Sequence, residues 1–376
     1  MASGEAGSIG LNQTDAYWLI DDEWHARRCV HDEQIHQLLP IAAQDTLPRF
    51  IPAPVDLHVH GGGGADVMQG AAAIVHVLEA HAKHGTGALL ATSVTAKPHE
   101  IDRFLADVSQ VMANPPPGGA RLLGAHLEGP FINPEKLGAQ PPHAIKVDEL
   151  LLERWLSSAV VKVITYAPEQ DPGAVVPALC QRYGVKMQIG HTLCSWAQAG
   201  RAIADGAGVT HLYNAMSGVS HRCGGAATAA LAYAEYAEVI TDGIHVDQAA
   251  FELARRAIPG LYSVTDATAA AGMPDGQYRL GELNIEKRGD SVFLPDGTLA
   301  GSCLTQRRSF AVLTSWGLNW IEIARLCSTI PAQWLGHAEL GRIGVGATAN
   351  WLELSDNHIV AIWLKGQRFS LGISHD

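Results

Sequence analysis

His58 and His60 alternate across one residue at the end of an apolar run, Val-Asp-Leu-His-Val-His, and four glycines follow. On an extended strand residues two apart point to the same face, so both imidazoles can reach one ion. Alone the pattern is a weak signal; the apolar run before it and the glycines after it strengthen it. Glu128 closes a second apolar stretch, in GAHLEGPF from Gly124. A carboxylate there is costly unless it is paired or bound to a cation, and a salt-bridged rim carboxylate is the competing reading. His126, two residues earlier on the same face, reads as a packed neighbour of the site. His191 (Ile-Gly-His-Thr) and His211 (Val-Thr-His-Leu-Tyr-Asn-Ala-Met) also end apolar runs. Each alone reads as a satisfied core histidine; the pair on successive strands reads as metal-binding. Imidazole with carboxylate suits zinc, iron or a similar divalent ion and does not choose among them. Asp266, in YSVTDAT from Tyr262, completes the set. A bound metal acidifies water, and a nearby carboxylate can take the proton and pass it to a leaving amine. A helix cap is the alternative for Asp266.

Residues this far apart need a frame that brings them together. Apolar strands are predicted over 54–60, 87–94, 121–128, 160–166, 185–190, 208–213, 238–241 and 261–265, with helices over 71–83, 100–112, 172–183, 195–205 and 248–257. Such alternation argues for a parallel sheet, and eight strands close a TIM barrel whose C-terminal strand ends share one mouth. His58 and His60 end strand one, Glu128 ends strand three, His191 follows strand five, His211 lies in strand six and Asp266 follows strand eight. A doubly wound open sheet would use residues 61–64 as its glycine-rich turn, but His-x-His is foreign to that motif. The predicted fold is therefore an α/β (β/α)8 barrel over 53–346 with a small β domain built from both chain termini, 1–52 and 347–376. Short strands are expected at 16–24 and 35–41 and a strand-like end at 349–369 with a Ser355-Asp356-Asn357 turn. A hairpin insertion is expected at 277–301 around Asp296-Gly297, and helices at 306–316 and 320–327. Trp18, Trp24, Trp351 and Trp363 are expected to pack the small domain.

Composition narrows the class. The 376 residues are 47% hydrophobic, enough for one large core or a large domain plus a small one. The formal net charge is −12 and no run of Lys or Arg makes a basic stripe, which argues against nucleic acid. No stretch of about 18 apolar residues suggests a membrane span, and the N-terminus lacks the pattern of a signal peptide. Cys29, Cys180, Cys194, Cys223, Cys303 and Cys327 are scattered without a C-x-x-C pair, as in a reduced, cytoplasmic protein. Charged residues are only 17%, which points to a surface that is neutral or buried in an oligomer. His76, His81 and His84 are read as an exposed helix face.

With these residues in place the chain resembles the N-acetylglucosamine-6-phosphate deacetylases of the amidohydrolase superfamily. The carriers are PVDLHVHGGGG from Pro54, HLEGPFINPEKLGAQ from His126, IGHT from Ile189, THLYNAM from Thr210, DGIHVD from Asp242, SVTDATAAAG from Ser263 and LAGS from Leu299. The resemblance runs from about 50 to 369; the first fifty residues match poorly. It implies one ion held by Glu128, His191 and His211 with Asp266 as acid/base, and allows a second at His58 and His60 with Glu128 bridging and Asp266 also coordinating. It implies substrate contacts at Ala139, Gln140, Asn214, Ala215, Leu299, Ala300 and Gly301, and a phosphate grip from Arg222 and His245. It also implies a homodimer in which His245 reaches the neighbouring site. The implied reaction is deacetylation of N-acetyl-D-glucosamine 6-phosphate. Another N-acetylated amino sugar, such as N-acetylgalactosamine 6-phosphate, or a non-catalytic sugar-phosphate sensor are the rivals. Two departures stand out: Gln140 where many members have histidine, and Cys223-Gly224-Gly225 after Arg222 where many read Glu-Pro-Gly.

Overall fold

The computed structural model describes residues 11–355 and 358–372. Eight strands run in parallel order Val55–Val59, Ala88–Ser93, Arg121–Glu128, Val161–Tyr166, Lys186–Ile189, Gly208–Val209, Tyr236–Ile240 and Gly260–Val264. The ends of the row meet: Asp266 N–H donates to the His58 carbonyl at 3.0 Å and Val59 bridges to Ala267. The first and last strands are buried along their whole length, as expected when helices cover a parallel sheet. The helix Ala71–Lys83 buries Ile74, Val77, Leu78, His81 and Ala82, one stripe at helical spacing. The helix Pro98–Ala113 starts on a proline in its first turn and buries Ile101, Phe104, Leu105, Val108 and Val111.

A second sheet is shared by the two ends of the chain. Its order is Gln367–Ser370, His358–Leu364, Trp351–Ser355, Arg49–Pro52, Asn12–Ile20, Glu23–His31 and Ile35–Pro40. Arg49–Pro52 joins the halves, parallel to Asn12–Ile20 and antiparallel to Trp351–Ser355, then leads directly into the barrel. Trp18 stacks on Phe50 at 4.6 Å and meets Trp351 edge-on at 4.9 Å, with Trp363 alongside Trp351. Trp24 lies apart from them, under the guanidinium of Arg49.

Several expectations need correction. The expected strand at 16–24 is two strands of a hairpin, because Asp21 and Asp22 both take positive φ (47° and 64°), the conformation of a tight two-residue turn. The sixth barrel strand stops at Val209, so His211 lies beyond it and not within it. The insertion is a three-stranded antiparallel sheet, Gly276–Leu280, Leu283–Arg288 and Ser291–Phe293, and Asp296-Gly297 turns after its third strand. The helix expected at 320–327 continues from Trp320–Ala324 through a widened turn, Arg325–Thr329, into Ile330–Leu335. His81 is buried, not exposed. Its Nε2 donates to the Gly61 carbonyl at 2.9 Å while His76 does the same to Gly63, so both tether the glycine loop. Within the expected Ser355-Asp356-Asn357 turn, Asp356 and Asn357 lie outside the described residues. All six cysteines are unpaired. Among the described residues no helix is long and apolar enough to cross a membrane.

Candidate active site

The C-terminal strand ends bring six candidate residues into one buried cluster. Glu128 closes the third strand, and its Oε1 lies 3.0 Å from both His191 Nε2 and His211 Nε2. Its Oε2 lies 3.2 Å from His60 Nε2, and Asp266 Oδ1 is 3.3 Å from the same nitrogen and 3.5 Å from His58 Nε2. The residues fall into two adjacent donor groups, Glu128–His191–His211 and His58–His60–Asp266, each compact enough to hold an ion.

The backbone is bent to achieve this. His191, His211 and Asp266 have φ of 48°, 27° and 49°, in the left-handed region that non-glycine residues seldom occupy. Three such residues at one site are typical of functional clusters, where surrounding bonds hold the strain. Ala267 and Ser302 bridge, Ser302 N–H donates to the Asp266 carbonyl at 2.8 Å, and Gly301 passes so close that a β-carbon would sit 3.1 Å from that carbonyl.

The hydrogen-bond pattern tests whether these side chains suit a metal. A carbonyl oxygen only accepts, so the imidazole nitrogen facing one must carry the proton. His60 Nδ1 donates to the Thr92 carbonyl at 3.0 Å and His191 Nδ1 to the Lys136 carbonyl at 2.8 Å. His58 Nδ1 lies 2.9 Å from the Glu238 carboxylate. Each outer bond leaves Nε2 as a lone pair aimed at the centre, the arrangement metal-bound histidines adopt. Adjacent Nε2 atoms sit 3.1 Å apart (His191 and His211) and 3.2 Å apart (His58 and His60). Two facing lone pairs repel; a shared cation removes the conflict. The donor set fits a divalent ion.

The field at the cluster favours the charged form of both carboxylates. Burial pushes the Glu128 carboxyl up, but His58 and His191 outweigh it and hold Glu128 well below the usual range. Burial likewise opposes ionisation of Asp266, and His58 and His60 overcome it. His126 is driven the other way, to about 4, by burial and by His58. It stays neutral, with Nδ1 on the Leu57 carbonyl and Nε2 on Thr165, a packed neighbour as its position implied.

Gln140 is buried, with its Oε1 accepting from Thr95 N–H at 2.6 Å and its Nε2 donating to Glu128. Ala139, Asn214 and Ala215 are half-buried, and Gly138 sits against Ala215 and His191. Leu299 and Ala300 pair back onto the insertion, Leu299 bridging to Phe293 and Ala300 N–H donating to the Val292 carbonyl at 3.0 Å, while Gly301 packs against Asp266. His245 packs on Asp242 of its own chain, Nδ1 to Oδ2 at 2.6 Å, and Asp242 also caps the turn through Ile244 and His245 N–H. Burial lowers the His245 pKa, but Asp242 and then Asp266 raise it above its ordinary value. Arg222 stands apart: it is exposed, and its guanidinium makes no hydrogen bond or ion pair among the described residues.

The model of the amidohydrolase family matches residues 49–367. The chain belongs to the amidohydrolase family. Within it, this amidohydrolase is 34% identical to the N-acetylgalactosamine-6-phosphate deacetylase of Escherichia coli O157:H7, over 94% of this chain and 96% of that protein. It is 34% identical to the N-acetylglucosamine-6-phosphate deacetylase of Bacillus subtilis, over 82% of this chain and 81% of that protein. In structure it superposes on the N-acetylglucosamine-6-phosphate deacetylase of Pasteurella multocida with a TM-score of 0.88 and 25% identity, covering 96% and 100% of the two chains. A Mycobacterium smegmatis mutant enzyme in complex with N-acetyl-D-glucosamine-6-phosphate matches with a TM-score of 0.86 and 28% identity, covering 95% and 98%.

Three acidic residues that frame this amidohydrolase's site were missed in the sequence. Glu238 supports His58, Asp242 orients His245, and Glu169 accepts from Thr192 Oγ1, Leu193 N–H and Asn133 Nδ2, fixing the loop that carries His191. Glu238 carried a usable signal, since it is a carboxylate inside an apolar strand. Glu169 carried none.

Proposed function

We propose that the chain hydrolyses N-acetyl-D-glucosamine 6-phosphate to D-glucosamine 6-phosphate and acetate. The observation that carries the reading is the convergence of Glu128, His191, His211, His58, His60 and Asp266 in one buried cluster with imidazole lone pairs turned inward. Glu128, His191 and His211 would hold one divalent ion; His58 and His60, with Glu128 and Asp266, would hold a second. Ions there supply an acidified water and a Lewis acid for the amide carbonyl.

The chain's own residues do the rest. Asp266 is ionised and within the cluster, so it takes the proton of the attacking water and returns it to the departing amine. Gln140 spends one N–H on Glu128 and has a second left for the acetamide carbonyl. Arg222 and His245 grip the 6-phosphate. Arg offers a forked donor, and Asp242 favours the charged form of His245. Ala139, Asn214, Ala215, Leu299, Ala300 and Gly301 line the sugar.

A homodimer belongs to the same reading. The Trp196 and Tyr233 rings pack at 4.8 Å yet are 36% and 56% exposed, beside a loop that exposes Val219; such apolar surface suits a second copy. In that dimer His245 completes the neighbouring copy's phosphate site, with Asp242 of its own chain orienting the ring.

The match to an N-acetylgalactosamine-6-phosphate deacetylase along nearly the whole chain keeps the C4 epimer as a second reading. Acetate release from the two sugar phosphates and from unphosphorylated N-acetylglucosamine separates the cases. The expected order of kcat/KM places the glucosamine phosphate first and the neutral sugar last. Higher kcat/KM on the galactosamine phosphate would move the assignment to the epimer. No release from any of them would leave a sugar-phosphate sensor.

A further inference from the structure

We propose that Glu238 is a positioning residue for the ion at His58 and His60, a role that rests on the two-ion reading above. Glu238 lies in the seventh barrel strand, Tyr236–Ile240, and is fully buried beneath the cluster. One carboxylate oxygen, Oε2, accepts the Nδ1–H of His58 at 2.9 Å and the backbone N–H of His211 at 3.2 Å. The other, Oε1, accepts the Tyr262 hydroxyl at 3.4 Å, and that hydroxyl accepts from Gln188 Nε2 at 2.6 Å. Gln188 Oε1 continues through Thr210 to Thr165 and His126, whose Nδ1 reaches the Leu57 carbonyl. A polar layer thus crosses the barrel below the cluster, with Glu238 as its charged member.

The placement has two consequences for His58. The carboxylate admits only a donor, so His58 must carry its proton on Nδ1 and keep the Nε2 lone pair toward the centre. The negative charge behind the ring also makes Nε2 a stronger electron donor, the effect of carboxylate–histidine–metal arrangements. No lysine or arginine bridges Glu238 among the described residues. A buried carboxylate without such a partner is costly, and positive charge at the His58 position offsets that cost. The other two Nδ1–H bonds, from His60 and His191, go to neutral carbonyls. The carboxylate therefore singles out one ion of the two.

The test is metal binding to stripped full-length protein, followed by calorimetry and by the visible spectrum of cobalt(II). The wild type is expected to take up two ions. Glu238→Gln keeps the shape and one acceptor oxygen for the His58 Nδ1–H, removes the charge, and turns the atom facing the Tyr262 hydroxyl from acceptor into donor. It should weaken one ion about tenfold to a hundredfold and lose that ion's cobalt absorption, while the other ion stays within about threefold. A merely structural role would weaken both ions together or neither, and that outcome overturns the proposal. If Glu238→Gln does not accumulate as folded protein, Glu238→Asp carries the test: it keeps the charge, draws it back one methylene, and should weaken the same single ion by a smaller factor. Two ions held as in wild type by the tested variant would also overturn the role of Glu238 while leaving the two-ion reading standing. A wild type that binds one ion would overturn both.

Discussion

The barrel centre and the rim residues proposed to meet the substrate are built on opposite terms. At the centre His58, His60, Glu128, His191, His211 and Asp266 are all buried, and the Nδ1 atoms of His58, His60 and His191 are tied to a carboxylate and two backbone carbonyls. At the rim Arg222 is exposed without a partner among the described residues, and Cys223 beside it is exposed too. His245 stands between the two, half at the rim yet oriented by Asp242. The difference separates roles. Groups that must meet a transition state within tenths of an ångström are held before substrate arrives, whereas a phosphate's long-range charge can be met by a side chain that orders on binding.

The largest effect expected from breaking that comparison is at the centre. Asp266→Asn should lower kcat about 10²- to 10⁴-fold, the range for losing a general acid–base, while the ion at Glu128, His191 and His211 stays bound. Wild-type turnover in that variant, measured with its metal content, would refute the assignment. Next, His211→Ala should abolish one ion and lower thermal stability at saturating metal, because binding to the native state alone contributes about 2.7 kcal/mol at a hundredfold excess over Kd. Melting curves with and without chelator check this: the wild type should shift and the variant should shift less.

At the rim effects should be smaller and confined to binding. Arg222→Ala removes a charged hydrogen bond worth roughly 1.5–3 kcal/mol. KM for the phosphorylated sugar should rise about 10- to 150-fold with kcat little changed, and KM for the neutral sugar should barely move. Equal losses on both sugars would show that Arg222 does not read phosphate. Gln140→Leu tests the boundary between the regions. It strands the Thr95 N–H and frees Glu128, so kcat should fall about tenfold with KM near wild type; a pure KM effect would move Gln140 to the rim.

Much of this was readable from residue order. His58, His60, Glu128, His191 and Asp266 sit where apolar runs stop, and in a barrel those ends share one mouth. Local patterning failed where tertiary bonds decide. His211 was expected inside a strand, but the chain leaves the ladder at Val209 and Glu238 captures its N–H. Glu238 opens the strand expected at 238–241; the strand begins at Tyr236, which puts the carboxylate in its middle and makes its burial notable. His81 lies on an alanine-rich helix whose buried stripe is broad enough to include it, and its partner is a glycine carbonyl twenty residues away. Arg49–Pro52 was too short to stand out, though it joins the two ends of the terminal sheet.

Acetate release from N-acetyl-D-glucosamine 6-phosphate during stepwise return of metal to stripped protein tests the central claim most directly. The buried cluster predicts no turnover in the stripped protein and recovery in step with occupancy of the ions. Full turnover by the stripped protein, or refilled ions without turnover on any N-acetylated sugar phosphate, would contradict it.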